Sequence, residues 1–285
     1  MSEAAVLLEV RGLGRRFEPR AGRGEVVFAI RDLSFDVREG EFLTIVGPSG
    51  SGKSTLLNLI AQIDAPTEGE IRFRGRPIAG ATAGALRPGW DRQFGYVTQD
   101  DTLLPWRTLI ENVLFPLRVQ GRLSGQTRDH ASTLMRTVGL AGFERYYPHE
   151  LSGGMRKRAQ LAQSLVADPT VLLMDEPFSA LDVQTRNLME NELLEVWSGG
   201  AAGGAPRTVL FITHDLEEAI ALSDEIVVMT AGPGTIKARY EVALPRPRNV
   251  AEIRFAPRFV ALYEQAWNDL RDEVARSYAR SLEAG

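Results

Sequence analysis

The sequence predicts an α/β fold around a mainly parallel sheet, and three observations predict it. Strand-like and helical segments alternate along the 285 residues. The main strand-like segments, Glu41 to Val46 (EFLTIV), Thr170 to Met174 (TVLLM) and Thr208 to Thr213 (TVLFIT), are apolar runs without polar alternation. Such runs need cover on both faces, which helices flanking a parallel sheet supply. Finally, EFLTIV feeds straight into GPSGSGKST, and TLLNLIAQI follows with helical spacing. Strand, glycine-rich turn and helix is the context a phosphate-binding loop requires.

Taken in order, Leu7 to Val10 and Val26 to Arg31 read as short strands joined by a Gly- and Arg-rich loop. Gly69 to Phe73 and Phe94 to Thr98 read as further strands, separated by the loop AGATAGALRPG. From about Leu109 to Val138 the pattern is helical, with polar breaks around Gly121 to Gly125, which marks a candidate helical subdomain. Ser152 to Val166 reads as a helix capped by Ser152, and Val183 to Trp197 as another. SGGAAGGAP forms a loop before TVLFIT. Near the end, Phe259, Tyr263, Trp267, Leu270, Val274 and Tyr278 recur every three or four residues, an amphipathic helix over about 257–280. That helix is expected to pack on its own domain, with a partner or dimer contact as the alternative.

Composition removes several function classes. Hydrophobic residues at 44% and charged residues at 25% fit an ordinary globular core, with room for one large domain, a small subdomain and a tail. A net charge of −4 argues against a nucleic-acid partner, whose footprint is basic. The absence of cysteine rules out disulfides, thiolate metal sites and Cys nucleophiles. Its three histidines, His130, His149 and His214, lack metal-ligand spacing. No apolar stretch approaches membrane-spanning length, and the opening MSEAAVLLEVRG lacks the pattern of a secretory signal, so a cytoplasmic location is expected.

The chemistry begins at Gly47-Pro48-Ser49-Gly50-Ser51-Gly52-Lys53-Ser54-Thr55. Glycines let backbone N–H groups turn inward around anionic oxygens, and the helix that follows aims its positive end at them. Lys53 is expected to bridge the β- and γ-phosphates of ATP, and the Ser54 hydroxyl to ligate Mg²⁺. The run Val171-Leu172-Leu173-Met174-Asp175-Glu176 supplies the matching acids: Asp175 for the metal, Glu176 as general base for the attacking water.

Between these elements lies Leu151-Ser152-Gly153-Gly154-Met155, which closely resembles the signature of the ABC (ATP-binding cassette) family. Physically it is a second anion site, a Ser hydroxyl and Gly N–H groups at a helix start. Met155 departs from the usual glutamine, as one importer branch of the family commonly does. The resemblance extends over roughly Leu7 to Leu244 and implies further roles in order. Gln99 matches the glutamine that senses γ-phosphate and metal. Ser179-Ala180-Leu181-Asp182 matches the loop crossing the dimer interface, with Asp182 near the nucleotide. His214 matches the histidine that contacts the γ-phosphate, and Phe17 is placed like the aromatic that stacks on adenine, with a core position as its alternative.

A P-loop NTPase fold of the ABC type is thereby implied: a mainly parallel core, an N-terminal antiparallel β portion and an inserted α-helical subdomain. The expected organisation is an ATPase domain over 1–250, its helical subdomain at about 100–165, and a helical tail over 251–285. In this family two cassettes meet head to tail, each ATP lying between one chain's glycine loop and the other's signature. A second ATPase subunit is therefore implied, with transmembrane permease subunits and, indirectly, an extracytoplasmic solute-binding protein. The implied place is the cytoplasmic side of the cell membrane, peripherally bound.

Leu103-Leu104-Pro105-Trp106 and Leu244-Pro245-Arg246-Pro247-Arg248 resemble the nitrate/sulfonate/taurine importer branch. Trp106 would dock a helix of the membrane subunit there, with a core position as the alternative. An ATPase for lipid or metal-chelate transport is the runner-up. A DNA-repair or chromosome-organising relative would carry a coiled coil between Thr55 and Leu151, and a ribosome-associated one two cassettes. A small-molecule kinase would not combine LSGGM with Gln99 and His214.

Overall fold

The computed structural model describes residues 4–18, 26–80, 91–199 and 205–283. The loops expected at RAGRG, at AGATAGALRPG and at the glycines after Gly199 lie largely outside the described residues, but Ala79 and Gly80 end a strand rather than open a loop. A six-stranded sheet forms the centre, in the order β10 (Ile236–Glu241), β9 (Glu225–Met229), β3 (Phe42–Val46), β8 (Thr208–Thr213), β7 (Val171–Asp175), β6 (Phe94–Val97). All neighbours are parallel except the edge strand β10.

Successive residues of the central strands point to opposite faces, and both faces are buried, which explains the unbroken apolar runs. Leu43, Ile45, Leu173, Leu210 and Ile212 pack with α1 (Lys53–Ile60) and the N-terminal strands. Phe42, Val46, Leu172, Met174 and Phe211 face the opposite core. That second core takes in α2 (Leu109–Val113), α3 (Phe115–Val119), α4 (Gly125–Thr137), α5 (Gly153–Leu165), α6 (Val183–Trp197) and α7 (Leu216–Leu222). α5 packs on α2, α3 and α4 and also on β6 and α6.

The second sheet is antiparallel, in the order β2 (Val27–Arg38), β1 (Val6–Phe17), β4 (Glu68–Phe73), β5 (Arg76–Gly80). β1 and β2 each run 12 residues, well beyond the short strands expected from sequence. Gly12 and Gly14 look like breaks, yet Gly12 (φ 54°) lies where the β1 pairings shift register on both sides, so the strand bends and continues. The bend also admits Gly69, whose Cβ, if present, would lie 2.3 Å from the Gly12 carbonyl oxygen.

Helix α7 and strands β5, β9 and β10 go beyond the elements expected from sequence. The chain ends in α8 (Val250–Ile253) and α9 (Pro257–Glu283). α9 packs against α7, β9 and β10, burying Phe259, Ala266 and Leu270, while Trp267 and Tyr278 stay exposed. The own-domain packing expected for this helix is what it shows. Among the described residues no helix is long and apolar enough to cross a membrane.

Candidate active site

Parallel pairing sets the site. In register, Val46 lies beside Thr213, Asp175 beside Ile212, and Val97 beside Met174. The chain therefore emerges from β3, β6, β7 and β8 at one sheet edge, carrying the glycine turn, Gln99, Asp175 with Glu176, and His214. Ligands of open α/β sheets bind at such carboxyl ends.

The glycine turn opens directly into α1, whose first helical residue is Lys53. Gly52 has φ 87°, and a Cβ there would lie 2.5 Å from the Ala29 carbonyl oxygen. Only glycine satisfies both constraints. The Lys53 ammonium is buried and donates to the Gly47 carbonyl at 2.8 Å and the Pro48 carbonyl at 3.0 Å. Burial pushes its pKa down, opposed by the negative charge of Glu176 and Asp175.

Asp175 closes β7 almost fully buried, and that burial pushes its carboxyl up, opposed by a hydrogen bond from Ser54 and by Lys53. Among the described residues its buried Oδ1 has no hydrogen-bond partner. An orphaned carboxylate oxygen beside a hydroxyl is a donor set that suits a hard, oxygen-seeking cation, so these residues fit Mg²⁺.

Glu176 follows in the left-handed region, at φ 45°. A non-glycine residue there needs a strong tether. Its amide donates to the Ile212 carbonyl at 2.9 Å, and its carbonyl accepts from the Ser179 hydroxyl at 3.0 Å. The carboxylate then meets His214 Nδ1 at 2.9 Å. His214 stands just past β8, where Asp215 caps α7 by accepting from the Glu217 amide at 2.9 Å and pairs with Arg186 at 3.2 Å.

Ser152 caps α5, its Oγ accepting from the Met155 amide at 3.3 Å. Asp182 caps α6, accepting from the Thr185 amide at 3.0 Å and the Thr185 hydroxyl at 2.7 Å. These bonds hold its carboxyl below the usual carboxylate range. Ser152, Gly153 and Asp182 are all exposed. A Cβ on Gly153 would meet none of the described residues within 4 Å, whereas one on Gly154 would lie 2.8 Å from the Thr185 methyl.

Gln99 is exposed, and side chains of α5 hold the backbone around it. Lys157 Nζ donates to the Gln99 carbonyl at 2.6 Å and the Thr98 carbonyl at 3.0 Å. Gln160 donates to the Asp100 carbonyl at 2.9 Å, and Arg156 pairs with Asp101 at 2.9 Å. These residues escaped the sequence reading, because nothing local in MRKRAQ says that they reach back about 60 residues.

Phe17 ends β1 with its ring 43% exposed and the Arg15 guanidinium 4.6 Å from its centroid. The ring lines a cavity of about 790 Å³ together with Ser49, Gly50, Gly52 and Thr55. Residues of β2 such as Phe28 and Arg31, Ala231 to Pro233 and, from α9, Ser277 and Arg280 also line it, and no sequence motif points to any of these.

A glycine turn, a lysine, two acids and a histidine at the carboxyl ends of adjacent parallel strands define a P-loop NTPase. Comparison with known proteins agrees and narrows the class. A family model described as ABC transporter matches residues 30–179. An uncharacterized ABC transporter ATP-binding protein of Methanocaldococcus jannaschii is 43% identical, covering 95% of this chain and 94% of that protein. The nitrate import ATP-binding protein NrtD of Synechocystis sp. is 41% identical over 93% of this chain and 95% of its own length. The taurine import ATP-binding protein TauB of Burkholderia pseudomallei is 42% identical over 88% and 95%. Among solved structures, a dimeric ATP-binding cassette in a post-hydrolysis state with ADP and Pi superposes at TM-score 0.70. It is 28% identical, over 84% of this chain and all of that one. The chain belongs to the ABC transporter family and is one of its ATP-binding, ATP-hydrolysing cassettes.

Proposed function

We propose that this cassette energises an ABC importer for a small anionic solute of the nitrate, sulfonate or taurine kind, acting on a separate membrane permease. The observation that carries the catalytic half of the reading is the Glu176–His214 contact beside Asp175 and Lys53. The importer half rests on the likeness to the nitrate and taurine proteins and on LLPW.

In this reading Gly47 to Thr55 cradle the phosphates, with Lys53 swinging from its backbone carbonyls onto the β- and γ-oxygens. Ser54, Asp175 and Gln99 would hold Mg²⁺, which neutralises phosphate charge when bound. Glu176 takes the proton of the attacking water, and His214 orients that carboxylate and reaches for the γ-phosphate. Phe17 stacks on adenine.

The exposed Ser152, Gly153 and Asp182, with the half-buried Gly154, serve the ATP of a second copy, in a head-to-tail dimer. The segment at about 100–165 acts as a helical lobe within the 1–250 ATPase unit, and the 251–285 tail packs on that unit. Trp106, 72% exposed, and a cavity of about 350 Å³ lined by Phe94, Phe115, Pro116 and Gln163 offer a seat for a permease helix. The cassette would then sit on the cytoplasmic face of the membrane, with the solute-binding protein across it.

The test is reconstitution. With its permease in vesicles, the parent should drive ATP-dependent uptake of an anionic solute, and Glu176→Gln should not. Uptake of a lipid or metal chelate instead would overturn the substrate class, and normal hydrolysis by Glu176→Gln would overturn the base.

A further inference from the structure

We infer that the last turns of α9 form one wall of the nucleotide pocket, with Arg280 contacting the sugar and base end of a bound nucleoside triphosphate. The inference rests on the ATP site proposed above and extends it to a segment outside every recognised motif. Arg280 and Ser277 line the 790 Å³ cavity that also holds Phe17, Gly50 and Thr55. The Ser277 hydroxyl donates to the Ser49 carbonyl at 3.0 Å, so α9 touches the phosphate turn itself. Arg280 donates to the Gly232 carbonyl.

Deeper contacts fix this placement. Glu273 is 1% exposed, accepts from the Ala231 amide at 2.9 Å and pairs with Lys237 at 3.0 Å. The loop it holds is pressed onto the glycine turn. A Cβ at Gly234 would lie 2.0 Å from the Ser51 carbonyl oxygen, and one at Gly232 2.9 Å from that of Gly50. Phosphate turn, loop and helix end thus meet as one unit 228 residues apart in sequence.

The chemistry of the wall suits a nucleotide. Arg280 is exposed to the cavity, and a guanidinium has five N–H donors, of which the Gly232 contact occupies one nitrogen. The remaining donors can read acceptors on a ribose or base while the charge attracts a polyanion. Phe17, in the same lining, offers a ring to the base.

Titration of the full-length protein with a fluorescent ATP analogue, together with nucleotide-induced thermal shifts, tests this. Arg280→Ala should weaken binding roughly five- to tenfold, the range for one partly exposed charged hydrogen bond. Arg280→Glu should weaken it further, Arg280→Lys should recover most of it, and the nucleotide-free melting temperature should stay put because the side chain is exposed. Lys53→Ala is the reference. If it loses nucleotide while Arg280→Ala and Arg280→Glu bind like the parent, α9 is no part of the site and the ATPase reading stands. If Lys53→Ala also binds like the parent, both fall.

Discussion

Glu176 shows how much chemistry rests on one strained residue. Its left-handed backbone, tethered to Ile212 and Ser179, turns the carboxylate to His214. Glu176→Gln keeps the size and the tether but removes the proposed proton acceptor. Turnover should fall at least about a hundredfold, the lower range for a general base, while ATP binding persists. Single-turnover hydrolysis with a separate binding titration checks both halves. Lys53→Ala acts earlier. It removes a cation from the phosphate cradle and should weaken nucleotide binding about tenfold or more, consistent with a charge-assisted hydrogen bond. Unchanged affinity in equilibrium titration would remove Lys53 from the site. Both residues were legible in the sequence because their motifs are contiguous and one strand or turn suffices to aim them. Lys157, Ser277 and Arg280 were not, because each acts on backbone 48 to 228 residues away. No local pattern encodes such contacts.

At the scale of elements, the same contrast holds. α6 and β8 lie where the sequence places them, since one is a long helical segment and the other an unbroken buried run. α7 has only seven residues, but it carries a feature that composition conceals. Glu218 on α7 and Glu190 on α6 are both almost fully buried, and burial pushes them up to about 8 and about 7. Glu190 and Asp215 add to the rise at Glu218, opposed by Thr213 and Arg186, while at Glu190 Asp215 adds to it and Arg254, Arg186 and a hydrogen bond with Glu218 oppose it. A carboxyl whose folded pKa is raised holds its proton more tightly in the native state than in the unfolded chain. Its contribution is full below the ordinary carboxylate range and is lost as pH rises through the folded value near 8. For one proton that slope is about 1.4 kcal/mol per pH unit. Glu218→Gln stays neutral throughout, so its stability should gain on the parent between pH 6 and pH 8.5. Urea unfolding at several pH values reads the gap directly, and parallel curves would show that folding does not raise the Glu218 carboxyl into this window.

For the whole molecule, the decisive feature is that the signature surface faces outward. Ser152 and Asp182 cap α5 and α6, and both are exposed along with Gly153, which opens α5, while Lys53, Asp175 and Glu176 converge at the sheet edge. One chain offers one cradle and one cap surface, so the proposed ATP sandwich needs two copies. The choice of residue for testing this comes from the packing. Gly154 is a poor probe, because a Cβ there crowds Thr185, whose hydroxyl is already bonded to Asp182. Gly153 has open space around it, and an acid at a helix start interacts well with the helix dipole. Gly153→Asp should therefore fold normally and bind ATP through its own cradle, yet repel the γ-phosphate held by its partner. ATP-driven dimerisation, read by light scattering in the Glu176→Gln background, should fail, and hydrolysis in the parental background should fail with it. Mixed with Lys53→Ala chains, each heterodimer assembles one site from two intact halves and one from two damaged halves. Random pairing makes half the dimers heterodimers, so roughly a quarter of parental turnover should return from two inactive proteins. If the mixture stays at the sum of its parents, while Gly153→Asp alone dimerises as the parent does, the signature surface does not act across the interface and the head-to-tail arrangement is wrong for this chain.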